Sequence, residues 1–326
     1  MSFKSYFLYP GCLLMMALQP ACFGLDGFVH NPVHCSEVGA KTCEEESVFW
    51  DRVCVPCDTE YDFTVEYPWM PSTLQDSQTI QPINAGDVLR QTIETKDGAG
   101  TLDTYFIRAF AGSVNSQTTV LYNHGNYAGI EHYLPRIQLL YQSGFNVLVW
   151  DYRGYGKSEP NLAPTPEEFI SDARQVREWA DTVIPDARKL IIYAYSLGGI
   201  PAMEMATHRA PCALIWEAGF TSMSAISRSN STLSMGETFL SQGYFNNIEK
   251  AKSYPGPLFA LIGDRDIKFP VEDVQRLVDH AAGPKTLWVL PGVNHGIANG
   301  GVPEAGLEEY LNQISTFLEN KASGCL

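Results

Sequence analysis

The chain is poor in positive charge: 22 Lys and Arg stand against 37 Asp and Glu, a formal net charge of −15 over 326 residues. That balance argues against nucleic acid and anionic membrane surfaces as partners. Internal repeats and low-complexity tracts are absent. The first apolar run, Tyr6 to Leu18, falls short of the ~20 residues a membrane-spanning helix needs. There is a single C-x-x-C, Cys54 to Cys57, with no second one to complete a zinc pattern. What is left is a chain long enough for one large α/β domain with an extension.

The N-terminus has its own logic. Lys4, the apolar run, and then Gln19-Pro20-Ala21-Cys22-Phe23-Gly24 read as a secretory signal peptide cleaved after Gly24. Pro10 and Gly11 argue against a buried first helix. The alternative is a lipoprotein, with lipid on Cys22 as a membrane anchor. Either way the protein is expected to be exported, as a periplasmic, envelope-associated or secreted protein. Export leaves Cys35, Cys43, Cys54, Cys57, Cys212 and Cys325, an even set that favours disulfides. Six cysteines allow about 15 connectivities, so the pairing stays open. Four of them crowd between Cys35 and Cys57, which reads as a small stapled extension. The rival for this segment is zinc, with Cys54 and Cys57 as half a site and His30 or His34 nearby. Pro68, Pro71 and Pro82 mark a linker-like crossing. The division is therefore residues 1–24 as leader, 25–87 as extension and linker, and 88–326 as the main domain.

The most informative stretch is Leu190-Ile191-Ile192-Tyr193-Ala194-Tyr195-Ser196-Leu197-Gly198-Gly199. An apolar strand ends abruptly at a serine, and a helix follows over about Ile200–His208. A serine on such a turn is pushed out of the sheet edge, with free N–H groups of the helix start behind it. This is the pattern of a nucleophile elbow, G-x-S-x-G, with Ala194 in place of the first glycine. Taken alone, Ser196 reads equally well as a helix N-cap.

Three further loops follow strand-like runs. Thr118–Tyr122 runs into Asn123-His124-Gly125-Asn126, a turn whose N–H groups can face a substrate oxygen. The oxyanion donors are assigned to the main-chain N–H groups of Asn126 and Leu197. His124 is read as a brace for this loop. Leu287–Leu290 leads into Pro291-Gly292-Val293-Asn294-His295-Gly296, and His295 is the expected general base. Leu258–Ile262 leads into Gly263-Asp264-Arg265-Asp266, where Asp266 is chosen as the acid that orients His295. Asp264 and Glu217 are the alternatives. Nothing in these motifs calls for a cofactor or a resident metal.

In this order, these motifs resemble the α/β-hydrolase superfamily, in its serine esterase and lipase-like branch, from about Val88 to the C-terminus. Asp151-Tyr152-Arg153-Gly154-Tyr155-Gly156-Lys157-Ser158 resembles a further family stretch, with Asp151 and Arg153 fixing a Gly-rich loop near the site. The resemblance implies a mainly parallel sheet with helices on both faces, a small lid, and a Ser196–His295–Asp266 triad acting on an acyl substrate. Alternation along the chain agrees with that architecture. Strands are expected at Val88–Glu94 and Thr104–Phe110 and near Thr119, Asn146, Leu190, Ala213, Leu258 and Leu287. Helices are expected at Tyr133–Ser143, Pro166–Thr182, Ile200–His208, Val271–Ala281 and Glu304–Glu319.

The stretch between Phe220 and Pro255 is where a lid would sit. It scatters Met223, Ile226, Leu233, Met235, Phe239, Leu240, Tyr244 and Phe245 among Ser and Asn. It is too short for a large lid, which points to esters of small or medium acyl groups. A thioesterase or serine peptidase is the nearest alternative, and a catalytically silent binding protein on the same scaffold is the alternative from another class. Aspartate at the elbow would have signalled a dehalogenase or epoxide hydrolase; this chain has Ser196.

Overall fold

The computed structural model describes residues 32, 34–37, 55–64, 81–126, 128–223, 245–296 and 307–326. The leader, Cys22, His30, Cys43, Cys54 and most of the lid stretch lie outside the described residues. Among those described, eight strands form one sheet: β1 (Val88–Glu94), β2 (Thr101–Ile107), β3 (Thr119–Asn123), β4 (Asn146–Trp150), β5 (Leu190–Tyr195), β6 (Ala213–Glu217), β7 (Leu258–Gly263) and β8 (Lys285–Leu290). Their order is β1-β2-β4-β3-β5-β6-β7-β8. β2 pairs antiparallel with β1 and β4, and every other pairing is parallel.

Burial explains the sequence of each strand. β3 to β7 are buried throughout and read as near-continuous apolar runs, as parallel strands covered on both faces must. β1, at an edge, exposes most of its residues. Side chains alternate between two cores. Leu121, Leu148, Ile192, Leu214 and Ala260 face one. Val120, Val147, Ile191, Ile215 and Phe259 face the other.

Helices close each core. α1 (Leu134–Gln142) and α6 (Leu307–Lys321) cover one face with Ile137, Leu140, Ile314 and Phe317. α2 (Pro166–Val183), α3 (Gly199–His208), α4 (Asn247–Ala251) and α5 (Val271–His280) cover the other, α2 through Phe169, Ala173 and Val176. α2 begins where its sequence says it must. Thr165 accepts from Glu168 N, the Glu168 side chain accepts from Thr165 N, and Pro166 takes the first helical position, where no N–H is needed.

Most elements fall within a residue or two of expectation. The largest shift is β2, expected at Thr104–Phe110 and found at Thr101–Ile107. The cause is a tight hairpin: Gly98 N bonds Thr95 O and Thr95 N bonds Gly100 O, so pairing with β1 resumes at once. β8 begins at Lys285 because Lys285 pairs with Leu258, giving it a polar start that an apolar pattern misses.

Two disulfides lie among the described residues, Cys35–Cys57 and Cys212–Cys325. The first commits Cys57 to a covalent bond, so the zinc half-site it was to share with Cys54 loses that sulfur. The second ties the loop before β6 to the C-terminus, where Thr118 Oγ1 also donates to Cys325 O. The 55–64 segment lies against β2: Tyr61 and Phe63 pack on Tyr105 at ring separations of 5.3 and 5.1 Å.

Because Cys212 and Cys325 are 113 residues apart, their bond removes a large closed loop from the unfolded ensemble. Replacing both by Ser is expected to lower unfolding stability by roughly 2–4 kcal/mol. Urea titration of the variant beside the oxidised parent checks this, and coincident midpoints would refute it.

Candidate active site

Strand β5 carries its apolar run to Tyr195, and the chain then turns sharply at Ser196, whose φ is +52°. An L-residue held in this left-handed region stores on the order of 1–3 kcal/mol, so its surroundings must over-determine it. They do. Phe220 N donates to Ser196 O at 2.7 Å. Gly198 lies so close to the end of β3 that a Cβ there would stand 2.0 Å from Asn123 O. Ala194, where the usual pattern has glycine, is fully buried within the strand and leaves the turn intact. Ser196–Gly198 form a single 3₁₀ turn that runs into α3, so Leu197 sits at the start of a helix.

His295 arrives from the loop after β8, 99 residues away in sequence, with Nε2 at 2.9 Å from Ser196 Oγ. Its Nδ1 lies 2.7 Å from Asp266 Oδ2. Asp266 is itself held, since Oδ1 accepts from Lys268 N at 2.8 Å and Phe269 N at 3.0 Å. All three residues are buried. A hydroxyl, an imidazole and a carboxylate in this series can draw the hydroxyl proton onto the ring while the carboxylate supports the cationic ring.

The two alternative acids sit elsewhere. Asp264 Oδ1 accepts from Gly292 N at 2.7 Å and closes the loop after β8. Glu217, at the end of β6, accepts from Tyr193 OH at 2.9 Å and faces Arg136 at 3.5 Å. The Arg136 guanidinium in turn lies 3.7 Å above the Tyr195 ring, and that ring is 5.4 Å from the His295 ring. Glu217 therefore anchors a buried cation beneath the elbow.

The loop that carries Asn126 leaves β3 beside the elbow. Asn123 at its root is fixed on both sides, accepting from Trp150 Nε1 at 3.0 Å and donating to Tyr193 O at 3.1 Å. Asn126 Oδ1 accepts from Tyr155 OH at 2.5 Å. Tyr152 OH donates to His124 O at 2.6 Å. His124 is fully buried, stacked 3.9 Å from the Tyr152 ring, with Nδ1 at 2.8 Å from Gly125 O. It braces this loop. Burial holds its pKa down to about 3, so it is neutral.

The stretch after β4 is the keel of this arrangement. Asp151 is fully buried and accepts from Ile130 N at 2.8 Å. Arg153 grips Asp172 of α2 through two bonds, at 3.0 and 2.9 Å, and also reaches Asp97 and Glu168. Sequence reasoning gave Asp151 and Arg153 a structural part but overlooked the hydroxyls of Tyr152 and Tyr155. Their placement inside the Asp151–Ser158 stretch was the signal available. Tyr61 donates to Asp151 Oδ2 at 2.8 Å; a lone tyrosine in a turn-rich extension carried no signal at all.

A strand-turn-helix bearing a left-handed serine, facing a histidine and an acid from the ends of later parallel strands, defines an α/β hydrolase of the serine type. Comparison with known proteins agrees. The family model for Serine aminopeptidase, S33, matches residues 115–241. An uncharacterized protein of Mycobacterium tuberculosis is 30% identical over 230 residues, covering 69% of this chain and 79% of that one. Lysophosphatidylserine lipase ABHD12 of Danio rerio is 28% identical, covering 53% of this chain and 50% of its own length. An esterase of Pyrococcus furiosus shares the fold with a TM-score of 0.59 at 22% identity, covering 79% of this chain and 96% of that one. The chain belongs to the α/β-hydrolase superfamily.

The depressed His124 pKa has a sign that can be tested. Unfolded His124 takes a proton near its ordinary value of 6.5 and the folded ring only near 3. Between those values the unfolded chain binds more protons, so this histidine's contribution to stability falls as pH drops below 6.5. His124→Gln is expected to flatten the fall in stability between about pH 6 and 4, read by urea midpoints at each pH. An unchanged slope would count against a neutral His124.

Proposed function

We propose that this protein is an exported serine hydrolase that cleaves carboxylic esters of small or medium acyl groups. The observation that carries the reading is the unbroken series from Ser196 Oγ through His295 to Asp266. Ser196 Oγ attacks the ester carbonyl as His295 Nε2 takes its proton. The N–H groups of Asn126 and Leu197 hold the oxyanion that forms. As the tetrahedral species collapses, His295 gives that proton to the leaving alcohol, and an acyl-enzyme remains. Water, deprotonated by His295, then attacks the acyl carbonyl, and Ser196 leaves with its proton restored. Asp266 keeps His295 in the required tautomer throughout. No step uses a metal or cofactor.

Phe269, 5.5 Å from the His295 ring, continues into Phe220 and Phe245 at 6.0 and 6.3 Å. All three rings lie in the buried core, where they pack behind the histidine. The two disulfides favour an oxidising compartment and hence export. Residues 1–24 are the proposed leader, with lipidation of Cys22 as the alternative, and 25–87 the proposed extension to the domain at 88–326. A serine peptidase is the second reading, favoured by the description of the matching family model.

Fluorophosphonate is expected to label the mature, oxidised chain at Ser196 alone, with Ser196→Ala unlabelled and inactive. Asp266→Asn is expected to lower kcat by up to ~10⁴-fold through loss of the correct tautomer. Asp264→Asn is expected to stay within about threefold of the parent, because it touches only the loop after β8. If Asp264→Asn abolished turnover while Asp266→Asn did not, the acid assignment would be wrong. Hydrolysis of aminoacyl anilides in preference to p-nitrophenyl esters would move the reading to a peptidase.

A further inference from the structure

The extension reaches the site through one hydroxyl. Tyr61 is buried, and its ring packs on Phe63 and Tyr105 while its OH donates to Asp151 Oδ2 at 2.8 Å. The same oxygen accepts from Lys157 N at 3.1 Å, and the other oxygen accepts from Ile130 N at 2.8 Å. Asp151 thus joins three segments distant in sequence: the extension, its own glycine-rich loop, and the loop carrying Asn126. That loop is held by the same stretch at two more points, Tyr152 OH to His124 O and Tyr155 OH to Asn126 Oδ1. The approach is tight, since a Cβ on Gly156 would lie 2.2 Å from Asp151 Oδ2.

The extension is pinned independently of Tyr61. Cys35 N donates to Gly156 O at 2.7 Å, and the Cys35–Cys57 disulfide carries that anchor to the Tyr61 segment. Lys157 Nζ donates to Thr59 O and lies 4.5 Å over the Tyr61 ring. Burial and the nearby Asp151 raise the Tyr61 phenol well above its ordinary pKa, so it stays a donor.

We propose that Tyr61 is a positioning residue for ester hydrolysis, setting through Asp151 where the Asn126 N–H meets the substrate oxyanion. The proposal rests on the serine-hydrolase reading above and deepens it. An oxyanion donor acts on the transition state more than on the bound ester, and a small displacement is felt mainly there. The stapled extension is then a working part of the site.

The test is Tyr61→Phe in the full mature chain, which removes the hydroxyl and keeps the ring. Active sites are counted by fluorophosphonate incorporation, and kcat, KM and inhibition by an alkyl boronic acid, which forms an anionic tetrahedral adduct on the serine, are measured beside the parent. The expectation is full labelling, kcat lowered about tenfold, KM within about twofold, and boronate inhibition weakened by about the same factor as kcat. Tyr254→Phe, which loses a bond to Pro257 O far from the loop, is the control and should leave all four unchanged. Lys157→Met, which releases Thr59, is the second variant and should move kcat in the same direction if Tyr61→Phe fails to fold. Parental kcat and boronate inhibition in whichever variant folds would overturn the proposal, as would a tenfold rise in KM at constant kcat. A parent that neither labels nor hydrolyses esters would instead sink the hydrolase reading itself.

Discussion

The site depends on one backbone constraint, the left-handed turn at Ser196. A strand that ends in ordinary geometry would send its next side chain along the sheet or into a core. At φ +52° the chain reverses within a residue and the hydroxyl is left facing the strand ends. The strain is offset by fixed neighbours: Phe220 N on Ser196 O, and Gly198 wedged against Asn123 O. Those neighbours come from the ends of β3 and β6, so the turn exists only because β3, β5 and β6 lie side by side.

The parallel sheet supplies that adjacency and more. Its core is divided in two by the alternation of side chains, and both faces are sealed by helices. Loops at the carboxyl ends of the strands are left to carry chemistry, as is general in open α/β sheets. Asn126, Ser196, Asp266 and His295 all lie on such loops, after β3, β5, β7 and β8. Charge is managed by the same loops. Asp151 is enclosed by amide and phenol donors, Arg153 by three carboxylates, and Arg136 by Glu217 and the Tyr195 ring. The hydrogen bonds on Asp151 and Arg153 hold their loops in one arrangement, because removing either partner leaves the other unsatisfied.

Much of this was legible from residues alone. The fully buried strands announced themselves as apolar runs, and the serine, the histidine and the acids stood at the ends of those runs. The edges were less legible. β2 begins three residues before its expected start because hairpin pairing, and not apolar content, sets its register. The cysteines can be counted from the sequence but not paired, because the Cys35–Cys57 bond depends on where the fold brings the two sulfurs together. Asp264 and Asp266 are two residues apart in one loop. Which of them meets His295 follows from that loop's turn, in which the amides of Lys268 and Phe269 fold back onto Asp266.

The order of strands and helices, the hydrophobic alternation that builds two cores, and the chemical character of each loop are local properties, and the sequence by itself determined them. Contacts across long separations were decided only by the tertiary structure. Ser196 and His295 meet across 99 residues, and Tyr61 and Asp151 across 90. The physical reason is that periodicity and turn chemistry act over a few neighbours. A hydrogen bond between distant loops is set by how a whole sheet twists and packs, and leaves no pattern in the residues that make it.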